Sequence, residues 1–199
     1  WLRSLPDDYM TKKQTVSYAG LFDDVGADAW YASSVDYVKY GRLMYGTGNN
    51  LFQPDAQMTR AMFAQVLYAL EGSPSVRGLS CPFADAGGSW YTDAVIWAYH
   101  AGVVAGVSAT QFAPNEALTR EQMVTMLYGY AGRDEQLSGS DGALASYQDQ
   151  ASVSGWAREA MAWAVSTGVI TGTSTTTLAP QKIGTRAEVA TVLMQFCEQ

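Results

Sequence analysis

The sequence predicts an all-α protein made of three tandem helical repeats, and two observations support this fold class. First, short motifs recur along the chain 60 and then 66 residues apart, which is the mark of a repeat architecture. Second, each copy contains two segments whose apolar residues follow helical spacing. The recurring positions are Trp30, Trp90 and Trp156; Gly46, Gly106 and Gly172; Pro54, Pro114 and Pro180; and the pairs Thr59-Arg60, Thr119-Arg120 and Thr185-Arg186.

The first helix of each repeat is predicted to begin at the recurring tryptophan. In the second repeat its apolar stripe consists of Ala94, Val95, Trp97 and Ala98. Trp97 and Trp163 lie on this stripe, so we expect both in the core. A glycine-rich turn then leads to the second helix.

The second helix of each repeat is predicted to begin at the Thr-Arg pair. Its core-facing residues follow an i, i+3, i+4, i+7 pattern in all three copies. They are Phe63, Val66, Leu67 and Leu70; Met123, Met126, Leu127 and Tyr130; and Val189, Val192, Leu193 and Phe196. One such helix pair is too small to bury its own apolar face, so we expect the repeats to share one core around a pseudo-threefold axis.

The spacing of the repeats sets the domain organisation. The predicted modules are 21–73, 81–133 and 147–199. The joins between them are rich in Gly, Ser and charged residues, which is typical of linkers. Residues 1–20 fall outside the plan and are interpreted as a lead-in or linker, in which Trp1, Leu2 and Leu5 offer apolar contacts to the repeats.

Composition excludes several classes of partner. The net charge of −7 argues against a general nucleic-acid binder, because neutralising phosphates requires a basic face. It also argues against electrostatic adhesion to anionic lipid. No apolar run approaches the roughly 20 residues of a membrane span. The chain begins at Trp1 without a signal-peptide pattern, so we expect a mature protein or an excised fragment.

No cofactor or metal site is predicted. His100 is the only histidine, and Cys81 and Cys197 fit no metal-ligand spacing. The cysteines are either two buried thiols or a disulfide that joins the second repeat to the end of the chain. The acidic segments at the start of each repeat do not resemble a calcium-binding loop, so we expect turns and caps there.

Catalysis within this chain is not expected. Glycoside hydrolysis uses a pair of carboxylates in one cleft, whereas every Asp here belongs to a repeated position or a linker. His100 has no counterpart in the other repeats and is better explained as a favourable charge at a helix C-terminus. A carbohydrate-active enzyme would need a unique acidic pair, and a fused catalytic domain outside this chain is compatible with the sequence.

The Thr-Arg pairs raise the main functional question. The threonines fit helix N-caps, and Gln122 and Glu188 can complete capping boxes, whereas Met62 cannot. The arginine that follows gains nothing from its position, since a helix N-terminus already carries about half a positive charge. Either it pairs with a structural carboxylate, or it meets an external anion beside free amides of the helix start. The candidate carboxylates are Asp24, Asp85 and Asp149.

In combination, the motifs resemble the S-layer homology (SLH) domain, as three modules over residues 21–199. The shared features are the Phe-x-Asp segment, the tryptophan, the Gly-Val-x-x-Gly turn, the Phe-x-Pro segment and TRAE at 185–188. The resemblance implies a three-pronged helical spindle. It also implies non-covalent attachment of exported proteins to secondary cell wall polysaccharides of Gram-positive-type bacteria, through pyruvylated sugars.

The resemblance further implies ligand-binding residues in grooves between adjacent prongs. The arginines would grip the pyruvate carboxylate in bidentate fashion, the threonines would orient the helices, and the glycines would let sugar approach the backbone. The implied residues are Arg60, Arg120, Arg186, Thr59, Thr119, Thr185, Gly46, Thr47, Gly106, Gly172, Thr173, Trp30, Trp90 and Trp156. For these tryptophans, stacking on sugar competes with core packing, which we place first.

Three positions depart from the family pattern. Arg42 stands where the other repeats have glycine, and Met62 replaces an acid or amide, so the groove involving the first repeat is in question. Val107 stands where Thr47 and Thr173 carry hydroxyls. These departures leave an alternative, a protein–protein assembly module of a surface layer whose arginines form internal salt bridges.

Overall fold

The computed structural model describes residues 21–133 and 136–199 and is helical. Its α-helices are α1 (Ala32–Tyr40), α2 (Arg60–Leu70), α3 (Thr92–His100), α4 (Arg120–Ala131), α5 (Arg158–Ser166) and α6 (Arg186–Cys197). Short 3-10 helices cover Asp141–Leu144, Gln150–Ser152 and Gly155–Ala157. The described residues form isolated β-bridges but no strand, which confirms the all-α class. The lead-in 1–20, with Trp1, Leu2 and Leu5, lies outside the described residues.

Each repeat contributes two of these helices, as predicted, but the first helix begins two residues after the recurring tryptophan, at Ala32, Thr92 or Arg158, instead of at it. The core-facing positions expected for α2, α4 and α6 are all buried, and so are the four stripe residues of α3. Trp97 and Trp163 are buried, which confirms their assignment to the core. None of the helices in the described part of the chain is long and apolar enough to cross a membrane.

The predicted N-caps of α2, α4 and α6 are confirmed. Thr59, Thr119 and Thr185 each accept a hydrogen bond from the amide three residues on. The side chains of Gln122 and Glu188 return the bond and complete capping boxes in α4 and α6. Met62 has no acceptor to offer, and α2 therefore has half of the motif.

The described residues fall into two compact units. The first consists of 21–57 and Thr185–Gln199. Within it, α1 packs against α6, and the Thr191 hydroxyl donates to Ser34 Oγ at 3.1 Å. The pair therefore joins the first helix of the first repeat to the second helix of the third.

The second unit is Met58–Gly184. Here α2 packs against α3, α4 packs against α5, and α2 also contacts α4. The Trp97 ring lies 5.6 Å from that of Tyr68 and 6.3 Å from that of Tyr130, centroid to centroid. In this unit the helix pairs thus form between successive repeats, because α2 and α4 each pack against the first helix of the next repeat. The pseudo-threefold arrangement and the module bounds stay predictions.

Arg42 departs from the glycine of the other repeats at a position where the backbone is left-handed. It follows the end of α1 in the left-handed conformation, with φ 58°, where Gly102 and Gly168 have φ 71° and 76°. The amides of Arg42 and Leu43 donate to Lys39 and Val38 carbonyls, which is a Schellman ending that glycine suits best. The first repeat therefore carries strain that the other two avoid.

The cysteines and acidic groups form no structural centre in the described residues. Cys81 and Cys197 are free thiols, each half-buried. Burial raises the pKa of Cys197 to about 11. Among the described residues no group of three or more His, Cys, Asp or Glu side chains is placed to hold a metal ion.

Candidate functional site

Each repeat contains one residue in the left-handed conformation directly before its recurring proline. These residues are Gln53, Ala113 and Ala179, with φ of 57°, 58° and 54°. A non-glycine residue in this region costs roughly 1–2 kcal/mol. Because the same strain recurs three times, each repeat must contain groups that hold this peptide in place.

The repeated aspartates hold the strained peptides from one side. Asp149 accepts from the amides of Leu178 and Ala179 at 2.8 and 2.7 Å. Asp24 and Asp85 make the same pair of bonds in their own repeats. Although desolvation opposes the shift, these backbone bonds and the nearby Arg60 or Arg120 charge lower the pKa of Asp85 and Asp149. The aspartates are turn-holding residues, as the sequence indicated.

The arginines of the Thr-Arg pairs hold the same peptides from the other side. Arg60 Nε donates to the Phe112 carbonyl at 2.9 Å, and its Nη2 donates to Ala105 at 3.3 Å. Its guanidinium also lies 4.7 Å from the centre of the Phe112 ring. Arg120 bonds the carbonyls of Leu178 and Thr171 in this way, and Arg186 bonds those of Phe52 and Tyr45.

At Arg60 and Arg186 this arrangement takes the place of the carboxylate pairing considered above, whereas contact with an external anion stays a prediction. All three are buried, and these hydrogen bonds go to backbone carbonyls instead of to the proposed carboxylates. Desolvation lowers the pKa of Arg60 and Arg186, with Glu116 and Asp85 opposing it at Arg60 and Asp24 at Arg186. The arginine therefore clamps a turn of a different repeat, with the aspartate as an electrostatic neighbour.

The expected free amides at the helix starts are also wrong. The first two amides of α2 donate to the carbonyls of Glu116 and Pro114, both at 3.0 Å. The corresponding amides of α4 and α6 donate to carbonyls of Lys182 and Pro180, and of Ala56 and Pro54. Since the threonine caps occupy the third amide, the helix starts offer no ready anion site.

A groove in the second unit nevertheless includes one of these arginines, Arg60, in its lining. It has a volume of about 560 Å³, within the range of small-ligand sites. It is lined by Arg60, Val103, Val104, Ala105, Gly106, Val107, Gln122, Thr125, Met126 and Trp156. All three repeats contribute to it. Arg42 and Met62, which raised doubt about the first repeat, are not among its lining residues.

The open polar groups of this groove are hydrogen-bond donors. Arg60 Nη1 has no hydrogen-bond partner among the described residues, and it is not fully buried. The Gln122 Oε1 accepts a hydrogen bond from the Thr119 amide. Its Nε2 has no hydrogen-bond partner in the described part of the chain. Trp156 is 60% exposed, the Thr125 hydroxyl donates to the Glu121 carbonyl, and the rest of the wall is largely apolar. The groove thus suits a ligand with acceptor oxygens on one side and an apolar face on the other.

Comparison with protein families decides the identity of the repeats. The family model of the S-layer homology domain matches residues 21–64, 82–124 and 146–190. The chain belongs to the S-layer homology domain family.

Relatives of this SLH chain include surface proteins and glycanases. An S-layer protein of Bacillus thuringiensis subsp. finitimus is 28% identical over 89% of the chain. A surface-layer 125 kDa protein of Lysinibacillus sphaericus is 30% identical over 92%, and an exoglucanase of Acetivibrio thermocellus is 28% identical over 89%. The chain spans 21, 15 and 16% of these three proteins, respectively.

Of the residues implied by the SLH resemblance, Arg60, Gly106 and Trp156 line the same groove. The preference for core packing of the helix-opening tryptophans is wrong, because Trp30, Trp90 and Trp156 are 67, 61 and 60% exposed. The buried residues belong to the helix that follows each tryptophan, and the indole itself stays at the surface.

The SLH glycines have a packing role. A Cβ at Gly46, Gly106 or Gly172 would lie 2.7, 2.5 or 2.6 Å from an aromatic ring that opens the same repeat, namely Phe22, Phe83 or Tyr147. Thr47 and Thr173 donate their hydroxyls to their own turns, at the carbonyls of Leu51 and Thr177. Val107 cannot make this bond and is exposed at the groove.

Several lining residues had no signal as ligand contacts in the sequence. Val103, Val104 and Met126 follow a helical or turn pattern that predicts only core. Gln122 was identified as a cap, and the second donor on its amide follows from that geometry. Glu121, which is buried beside the groove, differs from Ala61 and Ala187 at the same position of the other repeats.

Proposed function

We propose that this chain is a non-covalent anchor that binds an acidic, pyruvylated secondary polysaccharide of a bacterial cell wall. The groove at Arg60 carries the proposal, because it combines an open guanidinium nitrogen, an exposed indole and apolar walls. Membership of the SLH family and similarity to S-layer proteins support a cell-surface role. The corresponding location is the outer face of a Gram-positive-type bacterium.

The acidic sugar would meet the groove through its pyruvate carboxylate. Arg60 Nε and Nη2 are engaged by carbonyls, so the bidentate grip first expected is replaced by contact with Nη1. The Gln122 amide adds a second donor. A charge-assisted bond in a partly desolvated groove contributes more than the same bond at the surface.

The remaining groove surface would bind the apolar side of the sugar. Trp156 offers a flat ring, and Val103, Val107 and Met126 offer aliphatic contact. Methyl groups of a ketal or an acetamide suit such a wall, since burying apolar area stabilises the complex by about 25 cal/mol per Å². Binding is the whole mechanism, and any catalysis would reside in a domain fused to the anchor, as the glycanase relatives suggest.

Trp156 gives the cleanest test, because it is exposed and its removal should leave the fold intact. With a short repeat-unit oligosaccharide, which avoids avidity between sites, we expect Trp156→Ala to weaken binding at this groove about tenfold in calorimetry. Leu79→Ala removes another exposed apolar residue outside the groove and should bind as the parent does. Mild acid removal of the pyruvate should abolish binding.

Equal binding by Trp156→Ala and the parent would reject this groove as the sugar site. Equal binding of the depyruvylated oligosaccharide would reject the acidic group as the recognised feature.

One observation favours a second candidate, a surface-layer assembly module without sugar affinity. The three arginines are buried and bonded to internal carbonyls, so their main partners are internal as this alternative expects, although it expected salt bridges. It predicts concentration-dependent oligomers in sedimentation velocity and no retention on cell walls. A monomer that is retained on walls excludes it.

A further inference from the structure

Glu121 is a buried carboxylate at a position where the other two repeats have alanine. It is 2% exposed, and Ala61 and Ala187 occupy the same place after the Thr-Arg pairs. A buried carboxylate is costly unless all of its oxygens are hydrogen-bonded. The second repeat therefore contains a polar group that the repeat architecture itself does not need.

The partners of Glu121 all belong to the third repeat. Its Oε2 accepts from the Ser154 amide at 3.0 Å, and its Oε1 accepts from the Ser154 hydroxyl at 2.7 Å. Gln181 Nε2 donates to the same Oε1 at 2.7 Å and also reaches the Ser152 carbonyl at 3.2 Å. Both carboxylate oxygens thus accept hydrogen bonds, from Ser154 and from Gln181. Ser154 belongs to the short segment that precedes α5.

That segment carries Trp156. Ser154 is the residue before the 3-10 turn Gly155–Ala157, and it is held at both its amide and its hydroxyl. The turn is also anchored by Ala157, which is buried, whereas Gly155 and Trp156 are both exposed. Trp156 therefore lies between two anchors of the turn, the hydrogen bonds at Ser154 two residues earlier and the buried Ala157 that follows it.

We infer that Glu121 is a positioning residue that fixes Trp156 as the third-repeat wall of the Arg60 groove. It acts through the Ser154 backbone and touches no groove ligand itself, since it is absent from the groove lining. Binding then starts from a preorganised indole instead of a mobile one. The effect on ligand affinity rests on the proposed function, whereas the effect on Trp156 does not.

The first test reads the indole without any ligand. The difference in emission between a protein and its Trp156→Phe counterpart isolates Trp156 among the tryptophans. We expect acrylamide to quench this emission more strongly, and its anisotropy to fall, in Glu121→Ala. The control Glu159→Ala removes a carboxylate three residues from Trp156 that bonds Tyr128 instead, and it should change neither signal. Unchanged Trp156 emission in folded Glu121→Ala would overturn the inference.

The second test is a double-mutant cycle with the repeat-unit oligosaccharide. Ordering one side chain on binding corresponds to about threefold to tenfold in affinity, so Glu121→Ala should weaken binding by that factor. In the Trp156→Ala background the same substitution should have no effect, because the residue it positions is gone. An equal loss in both backgrounds would overturn the inference, and so would no loss in the parent when Trp156→Ala does lose affinity.

The two tests separate two failures. If Trp156→Ala binds sugar like the parent while Glu121→Ala still frees the indole, the proposed sugar site is wrong and the positioning role stands. Glu121→Gln supplies a folded variant should Glu121→Ala unfold, since it keeps the side-chain volume and loses the acceptor facing one of the Ser154 donors.

Discussion

Asp149→Ala should lower the free energy of unfolding by about 2 kcal/mol, because it removes the two hydrogen bonds that hold the strained peptide before Pro180. Asp149 accepts two amide bonds at 2.8 and 2.7 Å. A bond to a charged acceptor contributes about 1.5–3 kcal/mol when buried. Asp149 is only half-buried, so water replaces part of the loss, and the two bonds together give about 2 kcal/mol. Urea unfolding followed by tryptophan fluorescence measures this difference.

The same variant has a pH signature. The pKa of Asp149 is lowered in the folded protein by the Leu178 and Ala179 amides and by Arg120, against desolvation. Its stabilisation is therefore fully present above the ordinary carboxyl pKa of about 3.9 and is lost as pH falls through the folded value. The stability gap between parent and Asp149→Ala should narrow below about pH 4.

Asp55→Ala is the matched control, since Asp55 is exposed and makes no hydrogen bond within the described residues. It should unfold within about 0.5 kcal/mol of the parent at every pH. A loss below about 0.5 kcal/mol in Asp149→Ala itself, or a gap that does not change with pH, would refute the role given to the aspartate.

Two further predictions concern the left-handed turn after the first helix of a repeat and the buried Asp36. Arg42→Gly should raise the free energy of unfolding by up to about 1 kcal/mol, whereas Gly102→Ala, at a site with open space, should lower it by about 1 kcal/mol; thermal melts of both decide whether the left-handed turn is the cause. Asp36 is buried, its Oδ2 has no hydrogen-bond partner among the described residues, and burial raises its pKa to about 6. The parent should lose stability as pH rises from about 4 to 6, and Asp36→Ala should remove that slope and gain about 2–3 kcal/mol at pH 7. A parent whose stability stays flat between those pH values would contradict this.

Local pattern was enough to predict the second helix of each repeat and its cap. The i, i+3, i+4, i+7 spacing placed Phe63 and Leu67 in the core, and the Thr-x-x-Glu pattern placed the cap at Thr185, because both depend on residues within one helical turn. The partners of the arginines were beyond this reach. Arg60 bonds a carbonyl 52 residues away, and a backbone carbonyl leaves no signal in the sequence.

The candidate site could be predicted in part. Comparison of the repeats drew attention to Arg60, Gly106 and Trp156, although it gave the tryptophan to the core, because a large apolar residue beside a helix usually packs. Glu121 carried a readable signal, as the one acid among three equivalent positions. Its role was not readable, since Ser154 and Gln181 come from two separate segments of another repeat.

The most direct test of the central claim is retention of the chain on cell wall sacculi, measured before and after hydrofluoric acid strips the secondary polysaccharide. We predict retention on intact sacculi and its loss after stripping. Undiminished binding to the stripped sacculi would point to peptidoglycan as the ligand, and no binding to either preparation would leave the assembly module as the better account; both results contradict a polysaccharide anchor.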